Sequence, residues 1–320
     1  MTARRRHRVS RVMARSRRSG AWDGFRSVLC PVDFSSDSRL ALAYAAAVAR
    51  RAKGALTAFH ANDPFLIAAA AVALHDRRLA QRSRVELRRF VDETLMASSP
   101  ELRRVRAAIS TGRPADEILK ATVRGRSDLI VLGTHGLTGA NRLFLGSTTL
   151  TVLQRTTVPI LAIPRSSDAL PLTPSWPGDR IAVALDLEND SRREALVAAR
   201  IAKWFDASLL LFHVVTRIAA PDWLKGDLSA HDRIRVGEAQ RHIDAAAAAV
   251  TDLSTETRVV CGEAPDEIAA LAATERIGLV LTALRDRSGW FGSRRGAISY
   301  HVLSHATTPV LAFPPGWRPE

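Results

Sequence analysis

The sequence predicts an α/β protein made of two tandem domains, each a five-stranded parallel sheet with helices on both faces. Three observations carry this prediction. Short apolar runs alternate with helical patterns along the chain, and continuous apolar strands of that kind belong to parallel sheets buried on both sides. The second half repeats the first. At an offset of 153 residues Asp33 meets Asp186, Asp37 meets Asp190, Ser38 meets Ser191 and His60 meets His213. At an offset of 150, GRPADEIL (112–119) meets GEAPDEIA (262–269), and TTVPILAIP (156–164) meets ATTPVLAFP (306–314). Finally, 320 residues suffice for two cores of ordinary size.

The elements follow in order. SVLCPV (27–32) is a buried strand. SSDSRLALAYAAAVARRAKG (35–54) sets Leu40, Ala43, Tyr44 and Ala47 on one helical face, with Gly54 expected to close the helix. ALTAFH is the next strand, and LAQRSRVELRRFVDETL is an amphipathic helix. Then come a strand at VRAAIS, a helix from PADEILKATV, the strand DLIVLG, a glycine loop, a helix from Ser147 and the last strand, PILAI. In the second copy Ser191 and Glu194 form a capping-box pattern. The proline-rich stretch RSSDALPLTPSWPGD reads as a linker. The expected divisions are an arm (1–20), a first domain (21–165), a linker (166–177) and a second domain (178–316).

No apolar run approaches the roughly 18–20 residues that span a bilayer. Cys30 and Cys261 are too few and too far apart for a disulfide framework, so a reducing, cytoplasmic setting is expected. The net charge of +14 is concentrated in the first 20 residues, which hold eight arginines and no acid. That arm fits a solvated tail, or an upstream start with Met13 as the alternative. It also fits a nucleic-acid or anionic-lipid contact, or an organelle-targeting peptide. Nucleic acid is expected as a partner only through this arm.

The stretch GTHGLTGANRLFLGSTT (133–149) has the spacing Gly133-x2-Gly136-x9-Gly146-Ser147. It is neither a P-loop, which needs a lysine before its Ser/Thr, nor G-x-G-x-x-G. Glycines there permit positive φ and close approach to a ligand. Gly146-Ser147 opens a helix whose N–H groups suit an anion, and Ser147, Thr148 and Thr149 offer hydroxyls. Asp33 and Gly133 each end a strand and can meet at one crevice. The alternative for Asp33 is a cap on the next helix. His135 lies between two of the glycines, His60 and His213 read as structural, and no metal-ligand spacing stands out.

This spacing, with CPVDFS at the first strand and PILAIP at the last, resembles the universal stress protein family in its tandem form. The resemblance implies a Rossmann-like, adenine-nucleotide α-hydrolase-like fold that binds ATP, with or without magnesium. It implies adenine-side contacts at Pro31, Asp33 and Ala61, and ribose and phosphate contacts at Leu132, Gly133, Gly136, Gly146, Ser147 and Thr148. No catalytic residue is expected. The implied function is a nucleotide-binding stress-response protein. The alternatives are a nucleotide-independent interaction module and a weak ATPase. PILAI and PVLAF are expected to pair within the chain as a pseudo-dimer, with higher homo-oligomers and an unnamed protein partner left open.

The second copy departs from the motif. Its loop, ALRDRSGWFGSRRGAIS (283–299), replaces Gly133 by Ala283, Gly136 by Asp286 and Ser147 by Ala297, and keeps Gly146 as Gly296. A side chain forced into an unfavourable φ costs roughly 1–3 kcal/mol, and Asp286 repels phosphate. Arg285, Arg294 and Arg295 act the other way. One competent nucleotide site, in the first copy, is expected.

Overall fold

The computed structural model describes residues 22–73, 75, 78–98, 105–134, 145–165, 172–187, 190–218, 223, 229–284, 302–303 and 306–319. The basic arm, His135, Gly136, residues 166–171 of the linker and the second glycine loop from Arg285 to Tyr300 lie outside these residues.

The first half runs β1 (Ser27–Pro31), α1 (Ser36–Arg51), β2 (Ala55–Asn62), α2 (Pro64–Ala73), α3 (Leu79–Ser98), β3 (Val105–Thr111), α4 (Pro114–Gly125), β4 (Leu129–Gly133), α5 (Ser147–Arg155) and β5 (Ile160–Ile163). The second half runs β6 (Arg180–Ala184), α6 (Ser191–Trp204), β7 (Ser208–Thr216), α7 (Ser229–Ala247), β8 (Thr255–Gly262), α8 (Ala264–Thr274), β9 (Val280–Ala283) and β10 (Val310–Phe313). All ten strands form one sheet in the order β3-β2-β1-β4-β5-β10-β9-β6-β7-β8, so each half has the same internal order. Every pairing within a half is parallel.

Strand alternation divides the core between the two faces of the sheet. On one face Val28 and Cys30 of β1 pack with Leu42 and Ala45 of α1 and with Leu87 and Phe90 of α3. On the other, Leu29 and Ile130 pack with Ile118 of α4 and with Val152 and Leu153 of α5. α1 and α3 therefore cover one face of the first half and α4 and α5 the other, which makes the β1/β4 boundary the topological switch point.

The halves join through β5 and β10, which pair antiparallel with Leu161 opposite Leu311. This is the intrachain pairing expected of PILAI and PVLAF. Trp22 and Phe25, just before β1, pack with Trp204 of α6 and Trp317 of the C-terminal segment, with ring centroids 5.5–6.2 Å apart. Arg51 ties the ends of α1 and α6 together, donating to the Trp204 carbonyl at 2.8 Å and to Asp206 at 2.6 Å. An isolated half would present β5 or β10 as an open sheet edge.

Two local expectations are corrected. The left-handed residue after α1 is Lys53 (φ 50), not Gly54. Gly54 is needed instead for contact, because a Cβ there would lie 2.4 Å from the Arg26 carbonyl oxygen. The α6 cap is Asp190, whose carboxylate accepts from the Arg193 N–H at 3.1 Å, so Ser191 and Glu194 do not form a capping box. The described part of the linker is packed: Trp176 meets Tyr44 and Phe205 edge-on and donates its ring N–H to the Gly278 carbonyl at 2.8 Å. The sequence reading also lacked α2, whose sequence PFLIAAAAVA has no polar face to give it a helical period. Its Phe65, Leu66 and Val72 are exposed.

Candidate functional site

The carboxyl ends of β1, β2 and β4 lie side by side at the switch point. That edge carries Pro31, Asp33, Ala61, Leu132 and Gly133. Pro31, Asp33, Ala61 and Gly133 are half-buried, and Leu132 is buried. In sheets of this kind the crevice outside the strand ends is where ligands bind.

Asp33 does not cap α1. Its Oδ1 accepts from the Ser35 N–H at 3.1 Å and from the Ser35 hydroxyl at 2.5 Å, a local side-chain turn. Ser35 is the cap, accepting from the Ser38 N–H at 3.1 Å. The turn sets Phe34 at φ 67 and stacks its ring on His60, with centroids 4.6 Å apart. His60 Nδ1 donates to the Val32 carbonyl at 2.8 Å, which pins the strand end. His213 repeats that contact with Leu185 at 2.9 Å, as expected of structural histidines at equivalent positions.

The ends of the glycine loop meet in a hydrogen-bonded neck. The Thr134 N–H donates to Ile163, and the Gly146 N–H donates to Thr134 at 3.0 Å. The Thr149 hydroxyl donates to the Gly133 carbonyl at 3.0 Å. These bonds bring Gly133, Gly146, Ser147 and Thr148 to one place. Thr149, expected as a ligand hydroxyl, is spent on the neck. Gly146 is the cap residue of α5, and among the described residues no side chain caps that first turn, whose N–H groups have no intrahelical acceptor. Ser147 is exposed at the same end and Thr148 half-buried.

Of the loop glycines, the two described, Gly133 and Gly146, do not serve positive φ. Gly133 is a strand residue paired with Ile163, and Gly146 has φ −55. The φ penalty expected for Ala283 falls away as well, because Ala283 ends β9 in register with Phe313. What separates the copies in the described residues is the helix after the first strand. Aligned at offset 153, α1 begins at Ser36 but α6 at Ser191, two residues later than its counterpart.

A family model described as "Universal stress protein family" matches residues 24–164 and again 178–314. The chain belongs to the universal stress protein family. A universal stress protein of Thermus aquaticus is 32% identical over 142 residues, covering 43% of this chain and 98% of its own length. A solved universal stress protein from Archaeoglobus fulgidus superposes with a TM-score of 0.60 at 18% identity, covering 91% of this chain and 98% of its own. A putative universal stress protein from Pseudomonas aeruginosa gives 0.57 at 20% identity, covering 92% and 95%. At those identities the two structures bear on the fold alone.

Electrostatics in this universal stress protein are uneven. Burial, and secondarily the Asp33 carboxylate, push the Cys30 thiol far up, which leaves it protonated and unreactive. Cys30 and Cys261 are both free thiols. Among the described residues no three His, Cys, Asp or Glu side chains converge as a metal site. No described helix is long and apolar enough to cross a membrane. Near the start of α6, burial and then the Asp190 carboxylate push Glu194 from 4.5 up to about 7, against the opposing pull of Arg193. The folded chain therefore holds that proton more tightly than the unfolded one. The advantage is full below about pH 4.5 and is lost as pH rises to about 7, a change of about 3 kcal/mol. Urea melts of the wild type and Glu194→Gln across pH 4.5–8 are expected to differ by that slope; parallel curves would refute the assignment.

Proposed function

We propose that this universal stress protein holds ATP in its first half and acts as a nucleotide-dependent regulatory protein of the stress response, in a cytoplasmic setting, without turning the nucleotide over. The observation that carries this reading is the hydrogen-bonded neck, which sets an uncapped helix N-terminus beside the switch point. Phosphate oxygens are held by the first-turn N–H groups and the Ser147 hydroxyl. Following the family resemblance, the adenine lies toward Pro31, Asp33 and Ala61. The ribose and phosphates lie toward Leu132, Gly133, Gly136, Gly146, Ser147 and Thr148. The loop has no lysine to follow a phosphate through its transfer.

Mass spectrometry of the undenatured protein is expected to find a bound adenine nucleotide, and calorimetry a micromolar Kd for ATP, worth about 8 kcal/mol. Asp33→Ala should weaken ATP at least tenfold, whereas Asp186→Ala leaves it unchanged. The full chain is the proper sample, since the halves share one sheet. Equal losses from both variants would overturn the one-site reading. Metal-dependent hydrolysis that Ser147→Ala abolishes would make the protein an ATPase. A second reading, a nucleotide-independent interaction module, draws on the exposed Phe65, Leu66 and Val72 of α2; failure to bind any nucleotide would select it.

A further inference from the structure

The two copies diverge on one face of their first helix. In α1 that face is Leu40, Ala43, Tyr44 and Ala47, with Tyr44 buried and its ring 5.0 Å from that of Trp176. At the same positions α6 has Arg193, Leu196, Val197 and Arg200. Trp176 comes from the segment after β5. The segment after β10 takes the matching place on α6: Arg200 Nη1 donates to the Pro319 carbonyl at 2.8 Å, and Arg193 Nη2 reaches toward Gly316.

Between this C-terminal segment and α6 lies a cavity of about 330 Å³, at the small end of ligand-site volumes, roughly 300–1,000 Å³. Its polar lining is Arg192, Arg193, Arg200 and Arg318, with one acid, Asp190. Among the described residues none of these four arginines forms an ion pair. In the first copy, by contrast, Arg39 (the counterpart of Arg192) lies over the Phe90 ring at 4.3 Å and bonds Thr94 at 3.0 Å. Asp190 is occupied in capping the Arg193 N–H. The end of α6 therefore offers an anion little, and the attraction comes from the guanidinium groups, whose forked donors match phosphoryl oxygens.

We propose that this cleft binds a small oligophosphate anion, of the size of pyrophosphate or tripolyphosphate. The site stands apart from the nucleotide reading of the first half. The second copy would thus hold phosphate by side-chain charge on α6 rather than by a glycine loop. Binding by exposed guanidiniums weakens as salt rises.

The test titrates tripolyphosphate into the full chain carrying Gly146→Asp, which removes the first-half phosphate contacts. Saturable binding that weakens with salt is expected. Adding Arg193→Gln and Arg200→Gln should lower affinity at least about tenfold. Arg192→Gln alone, which leaves the C-terminal segment in contact, should lower it about threefold. Thermal melts establish that each variant is folded. The control pair Arg84→Gln and Arg88→Gln, exposed on α3, should leave binding unchanged. Absence of saturable binding, or an equal loss from the control pair, would overturn the proposal without touching the ATP reading.

Discussion

Replacing Gly146 by aspartate is expected to reduce ATP affinity at least about 100-fold at physiological salt while leaving the fold as stable as before. The two effects separate because of where Gly146 sits. It caps α5 with φ −55, and a Cβ there would meet nothing closer than the Thr134 carbonyl oxygen at 3.7 Å, an ordinary contact. Aspartate is also a better cap than glycine. Its carboxylate would accept the first-turn N–H groups, the same donors a phosphate needs, and add a like charge beside the triphosphate. Hydrogen bonds to charged groups contribute about 1.5–3 kcal/mol each, and about 1.4 kcal/mol is a factor of ten in affinity. Gly146→Asn separates the causes, since it competes for the donors without the charge and should lose less. Calorimetry with ATP, alongside a thermal melt, decides the matter. Unchanged ATP affinity in the folded Gly146→Asp chain would mean that the end of α5 is not the phosphate site.

Trp176→Ala is expected to destabilise the chain by about 3 kcal/mol, lowering Tm by roughly 5–10 °C. Trp176 bridges the copies: its ring lies 5.0 Å from Tyr44 of α1 and 5.5 Å from Phe205 at the end of α6. Its ring N–H also satisfies the carbonyl of Gly278, where the backbone is crowded enough that a Cβ would lie 2.2 Å from the Pro177 oxygen. Trp176→Phe keeps a ring and loses the hydrogen bond, so it should cost about 1 kcal/mol. Urea melts of the three chains provide the comparison. If Trp176→Ala melted like the wild type, the linker would be an untethered connection, as its composition suggests.

These two residues mark how far the sequence could be read. The glycine loop stands out because its spacing is a local pattern following an apolar strand. Asp33 stands out because it ends the first strand and recurs as Asp186. The role of Ser35 was available too: an acid followed two residues later by serine is the pattern of a side-chain turn, and it decides whether Asp33 caps the helix or is held by Ser35. Thr149 could not be assigned from sequence. Three adjacent hydroxyl residues look alike, and only the path of the chain between β4 and α5 turns one of them back onto Gly133. Glu194 looked like half of a capping box until the start of α6 set Asp190 as the cap.

The sequence by itself determined the repeat, the alternation of strand and helix, the parallel character of the sheet within each half and the place of the glycine loop. All of these rest on spacings of a few residues or on a constant offset, which the chain carries without folding. The tertiary structure alone decided that β5 and β10, already expected to pair, run antiparallel, that Trp176 and Trp317 pack near the junction, and that α6 faces a C-terminal segment across four arginines. Contacts such as Trp176 to Gly278, 102 residues apart, have no local signature. Their energy comes from surfaces that exist only once both copies have folded, and that is where two halves with the same ancestry of pattern become different.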